Sequence, residues 1–181
     1  MNLPNLITLG RLLLVPVAIW LVLSGELAAA FWIFVAAGLS DAVDGFIAKR
    51  LNQRSRLGAL LDPLADKALL VSMFVTLGVA GHLPNWLVIL VVFRDVMIIG
   101  GFLLVTALAH TMKWEPLFIS KLNTALQIAL IAVVLARLGL GIPDFGLAIV
   151  LVYGVAVTTI VSGGGYLVRW ARALAGVEED S

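Results

Sequence analysis

Four aspartates in the first half of the chain have the spacing of a site. Asp41 and Asp44 stand at i,i+3, and Asp62 and Asp66 at i,i+4. On helices, either spacing puts both carboxylates on one face. A short polar connection centred on Leu51 to Leu57 separates the pairs and can bring the two acidic faces together. Carboxylates gathered in a poorly hydrated place repel one another unless cations neutralise them. Two divalent ions meet that need, and oxygen ligands in a chain without cysteine favour Mg2+ or Mn2+ over zinc. Metal pairs held by carboxylates suit in-line displacement at phosphorus. Gly45 follows Asp44, Ala48 stands one turn on, and Gly58 stands four residues before Asp62, so a nucleotide or diphosphate can approach the backbone there. The plainer alternative pairs the aspartates with Lys49, Arg50, Arg54, Arg56 and Lys67 at a membrane surface. The combined spacing and both glycines favour the metal reading.

The elements that must position these residues are membrane helices. Of the 181 residues, 62% are apolar and 13% charged, against ~45–50% apolar in soluble domains. The formal charge of +1 gives no footprint for nucleic acid, and the absence of cysteine excludes a disulfide scaffold. Six apolar stretches are long enough to cross a bilayer. They run from about Leu6 to Leu23, Leu27 to Arg50, Gly58 to Gly81-His82, Pro84 to Ala109, Phe118 to Leu138, and Phe145 to Trp170. The fifth is expected to break at Gly139 to Pro143. The expected architecture is all-α, a single domain over residues 1–181 with six transmembrane helices in one bundle.

Basic residues set the orientation. Lys49, Arg50, Arg54, Arg56, Lys113, Lys121, Arg169 and Arg172 fall on one side; Glu26, His82, Arg137 and Asp144 fall on the other. Both termini and the acidic site are therefore expected to face the cytoplasm, in a bacterial inner membrane or its organelle equivalent. Trp20, Trp32 and Trp86 are expected near the outer interface, and Trp114 and Trp170 near the inner one. Arg11 before an apolar run, with Ala28 to Ala30 beyond, imitates a secretory signal. Pro16 and Glu26 fit that scheme poorly, so the first stretch is read as a span. Gly163-Gly164-Gly165 is read as a site of close helix contact or a break.

The run Asp41-Ala-Val-Asp44-Gly45-Phe-Ile-Ala48-Lys49, eight residues, then Gly58-Ala-Leu-Leu-Asp62-Pro-Leu-Ala-Asp66 resembles the signature of the CDP-alcohol phosphatidyltransferases, D-x2-D-G-x2-A-R-x8-G-x3-D-x3-D. Lys49 departs from the family's usual Arg, keeping the charge but losing the bidentate fork. The resemblance implies a homodimer with a cytoplasm-facing polar cavity. It implies that Asp41, Asp44, Asp62 and Asp66 bind the metal pair, and that Asp66 is also the general base. Gly45, Ala48, Lys49 and Gly58 would line the cytidine nucleotide site. The implied reaction moves a phosphatidyl group from CDP-diacylglycerol to an alcohol and releases CMP.

Polar residues elsewhere bear on the acceptor. Asn5, Thr8 and Arg11 recur near the start, Arg94-Asp95 lies inside the fourth stretch, and Ser120, Lys121, Asn123, Thr124 and Gln127 open the fifth. Arg11, Arg94, Lys121 and Asn123 are the candidate acceptor or phosphate ligands, with Arg94 and Lys121 forming a phosphate site beside the metals. The plainer readings are an internal Arg94-Asp95 ion pair, a snorkelling Arg11 and polar residues that glue helices together. A phosphate site suits phosphatidylglycerol or glycerol 3-phosphate. Arg94-Asp95-Val-Met with Phe118-Ile-Ser-Lys121-Leu-Asn123-Thr most resembles the eukaryotic-type, cardiolipin-forming branch of the family, which uses phosphatidylglycerol. The glycerophosphate branch more often has Arg-Glu, and Lys at the position of Asn123. Other classes considered are a membrane prenyltransferase, whose acidic motifs lie far apart in sequence, and a proton-coupled transporter, which symmetric halves would support.

Overall fold

The computed structural model describes the backbone of residues 3–51, 56–109 and 117–179, and the side chains of residues 10–40, 67–101 and 117–172. Among the described residues the chain is entirely helical. The elements are α1 (Leu3–Leu23), α2 (Leu27–Leu51), α3 (Arg56–Val79), α4 (Asn85–Ala109), α5 (Phe118–Leu140) and α6 (Leu147–Glu179). All six stretches expected from the sequence are present as helices.

Glycine sets two of the stops. Gly25 and Gly81 adopt φ of 80° and 77°, which side chains rarely tolerate. After α1, Glu26 N–H donates to the Leu21 carbonyl at 2.9 Å; after α3, His82 N–H donates to the Leu77 carbonyl at 2.8 Å. Each is the six-to-one bond of a Schellman cap, which satisfies a carbonyl the helix leaves open.

Two helices run past their expected ends. α5 continues through Gly139 to Leu140 and breaks at Gly141, within the expected joint Gly139 to Pro143. A Cβ at Gly139 would lie 2.5 Å from the Ala28 nitrogen and the Leu27 carbonyl carbon, so this glycine serves close backbone packing inside the helix. α6 continues past Trp170 to Glu179, since Ala171 to Ala175 are mostly strong helix formers.

The helices fall into two compact units, Met1–Leu83 with Ile131–Phe145, and Pro84–Leu130 with Gly146–Ser181. In the first, α1 packs on both α2 and α3. Phe34, Ala37, Met73, Phe74 and Leu77 are buried there. In the second, α4 packs on α6. Leu87, Val91, Leu130 and Val155 are buried there, and a separate cluster forms around Tyr166 and Trp170.

α5 over Phe118–Leu140 and α6 over Leu147–Arg172 are long and apolar enough to cross a membrane. α1, α2 and α3 carry shorter apolar runs, Gly10–Leu23, Leu27–Ser40 and Lys67–Val79. Large apolar side chains also face outward, including Leu13, Trp32, Ile89 and Ile149. Trp20, Trp32 and Trp86 are exposed, in keeping with an interfacial place. Trp170 is not: its ring is buried against the slot left by Gly101, where any Cβ would overlap it. Trp114 lies outside the described residues.

Candidate functional site

The acidic motif occupies facing sequence ends of two helices. Asp41, Asp44, Gly45, Ala48 and Lys49 fall in the last part of α2, and Gly58, Asp62 and Asp66 in the first part of α3. Their side chains lie outside the described residues. The helical backbone gives each aspartate pair the shared face that its spacing requires. Both helices pack on α1, which carries Arg11 with only 2% of its surface exposed. Arg11 therefore does not snorkel to the surface; it is a buried cation on the helix common to α2 and α3. Among the described residues no three carboxylates or histidines gather as a metal site.

The second unit buries a polar cluster of its own. Arg94 and Asp95 on α4 are 3% and 4% exposed. Arg94 Nη1 donates to Asp95 Oδ1 at 2.7 Å, so the internal ion pair is present. Arg94 Nη2 donates to Ser120 Oγ on α5 at 2.6 Å and to Ser162 Oγ on α6. One guanidinium thus ties three helices. Removing two charges from water costs several kcal/mol each, and the direct ion pair with two added hydrogen bonds offsets that cost.

Beside it, Asn123 is fully buried and accepts through Oδ1 from Thr158 Oγ1 at 2.8 Å and Thr159 Oγ1 at 3.0 Å. Gln127, one turn further along α5, is 1% exposed. Among the described residues the amide nitrogens of Asn123 and Gln127 have no acceptor. Lys121 is exposed. Of the four candidate acceptor ligands, Arg94 and Asn123 lie in two buried hydrogen-bonded groups of the same unit, Lys121 stands at the surface of α5, and Arg11 belongs to the other unit.

Ser162, Thr158 and Thr159 were not singled out by the motif reading, yet they complete this network. The available signal was hydroxyl residues at i,i+4 in an otherwise apolar helix, the usual mark of interhelical hydrogen bonding in membranes. The glycine run beside them is helical. Gly163 lies against Met97 and Arg94 and Gly165 against Leu117, whereas Gly164 faces open space.

The family model of the CDP-alcohol phosphatidyltransferases matches residues 1–161. The chain is 35% identical over 195 residues to CDP-diacylglycerol--glycerol-3-phosphate 3-phosphatidyltransferase 1, chloroplastic, of Oryza sativa subsp. japonica, covering 95% of this chain and 58% of that protein. It is 39% identical over 151 residues to cardiolipin synthase (CMP-forming) of Rattus norvegicus and of Homo sapiens, covering 75% of this chain and 50% of each. The chain therefore spans about half the length of these curated relatives. The match takes in the acidic motif of α2 and α3 as well as Arg94, Asp95, Ser120 and Asn123, and the chain belongs to the CDP-alcohol phosphatidyltransferase family.

Proposed function

We propose that the protein transfers the phosphatidyl group of CDP-diacylglycerol to a hydroxyl of phosphatidylglycerol, giving cardiolipin and CMP. The observation that carries this reading is the presence of all four signature aspartates on α2 and α3 in a chain 39% identical to two cardiolipin synthases. The acceptor hydroxyl attacks the phosphatidyl phosphorus, the bond to CMP breaks, and Asp66 takes the hydroxyl proton. Gly45, Ala48, Lys49 and Gly58 hold the cytidine nucleotide.

Asp41, Asp44, Asp62 and Asp66 form an all-oxygen donor set on two helices that share one packing partner, which fits two Mg2+ or Mn2+ ions. Such ions neutralise the carboxylates and stabilise charge on the phosphate oxygens. The acceptor's own phosphate falls to Arg94, aided by Lys121 and Asn123 of the same unit.

The same reading makes all six helices, 21 to 33 residues long, membrane spans of one bundle in a homodimer. Both termini and the acidic site face the cytoplasm. The basic excess at that side supports this orientation, as does the pairing of Arg137 with Asp144 at 3.8 Å near the other.

Glycerol 3-phosphate is the second acceptor reading, favoured by the rice relative aligned over 95% of this chain. The test is CMP release by purified protein given CDP-diacylglycerol, Mg2+ or Mn2+, and each acceptor separately. Release with phosphatidylglycerol is expected; release with glycerol 3-phosphate alone selects the second reading, and release with neither rejects both.

A further inference from the structure

The N–H donors of Arg94 are unequally used. Nη1 faces the only carboxylate hydrogen-bonded to this guanidinium among the described residues, that of Asp95. Nη2 donates to two neutral hydroxyls, Ser120 and Ser162, and the buried Nε has no acceptor among the described residues. Nε and Nη2 form one edge of the planar fork. The two serines take both hydrogens of Nη2, so on this edge Nε–H alone is without an acceptor among the described residues.

Ser162 reaches this edge because α6 runs close to the arginine stem. A Cβ at neighbouring Gly163 would lie 3.7 Å from Arg94 Cγ and 3.2 Å from Met97 Cε. One turn before Ser162, the bonds of Thr158 and Thr159 to Asn123 fix α6 against α5. Ser162 is itself wholly buried. A hydroxyl so held has little freedom to leave the guanidinium.

We infer that Ser162 is a positioning residue, with Ser120 as its counterpart on α5, holding the guanidinium plane so that Nε–H of Arg94 donates to a phosphate oxygen of the acceptor. This rests on the reading above that Arg94 binds the acceptor's phosphate. The two serines hold Nη2 from two different helices, so loss of either hydroxyl frees the plane to rotate about the remaining bonds. The consequence falls on acceptor affinity and leaves the nucleotide side untouched.

The test is steady-state kinetics of the full chain in detergent, with CDP-diacylglycerol and each of phosphatidylglycerol and glycerol 3-phosphate. Ser162→Ala is expected to raise the acceptor KM about tenfold, with kcat and the CDP-diacylglycerol KM changed by no more than about twofold. Ser162→Thr, which keeps the hydroxyl, is expected to restore the acceptor KM to within about threefold of the parent. Ser120→Ala gives the same split from the other helix, and it decides the matter if Ser162→Ala does not fold. Equal losses in both KM values with a lowered thermal midpoint would reduce the serines to packing and overturn the inference. So would an unchanged acceptor KM in Ser162→Ala while Arg94→Gln raises it. If Arg94→Gln leaves the acceptor KM unchanged, or no acceptor supports CMP release, the functional reading fails and the inference falls with it.

Discussion

The two units of the chain carry their charge in opposite ways. In the first, four aspartates fall near the adjoining sequence ends of α2 and α3, and the proposed function has divalent cations supplied to them. In the second, a single guanidinium is matched in place by a neighbouring carboxylate and two hydroxyls, and the whole group is buried. The first arrangement, so read, takes something from outside the chain, which suits a reaction centre. The second is matched within the fold apart from Nε of Arg94, which suits a binding device that also ties helices together.

The contrast is broken most directly at the acidic end. Asp66→Asn is expected to lower the rate of CMP release by about 10³-fold or more, since the proposed function makes this carboxylate both metal ligand and base. Melting behaviour should stay near that of the parent, because the substitution relieves carboxylate repulsion. Retained activity would remove Asp66 from the chemistry. Chelation of divalent ions should likewise abolish turnover, and titrating Mg2+ or Mn2+ back should restore it.

At the buried pair the expected effect is on stability. Asp95→Ala leaves the Arg94 charge without its ion partner and is expected to cost about 3–5 kcal/mol, read as a fall in the thermal midpoint in detergent. Replacing both, as Arg94→Met with Asp95→Leu, should recover much of that stability while acceptor binding stays lost. Recovery of binding as well would show that the pair serves the fold alone.

Glycine substitutions give smaller effects that separate backbone contact from open surface. Gly139→Ala brings a Cβ against the Leu27–Ala28 backbone, which has no flexible end to move aside, and is expected to cost about 1–3 kcal/mol. Gly164→Ala meets nothing within 4 Å and should be neutral or gain slightly from helix propensity, with the shift staying under about 1 kcal/mol. Equal shifts for the two would contradict the packing described at Gly139.

Much of this was legible in the sequence for identifiable reasons. Helices of this length in an apolar chain are dictated by the need to satisfy backbone groups locally, so the apolar runs and their Gly and Pro joints marked all six. The boundary errors came where a residue type had two uses. Gly139 read as a breaker but serves as a contact surface, and Trp170 read as an interfacial anchor but fills the slot at Gly101. Neither choice is local, because each depends on what another helix brings to that position.

The site divides along the same line. The aspartate motif could be recognised directly because it is a spacing along two consecutive helices, and charge is costly in an apolar chain. The partners of Arg94 could not be read this way. Ser120 and Ser162 are separated from it by 26 and 68 residues, and single serines in apolar helices are unremarkable until the packing is known. Thus the sequence alone determined the helices, the acidic cluster and the family signature, since periodicity, hydropathy and short-range spacing are local properties of the chain. Only the tertiary structure decided that Arg94 is neutralised by Asp95, held by hydroxyls from α5 and α6 and left with Nε lacking an acceptor among the described residues, because hydrogen bonds between helices depend on their rotation and separation.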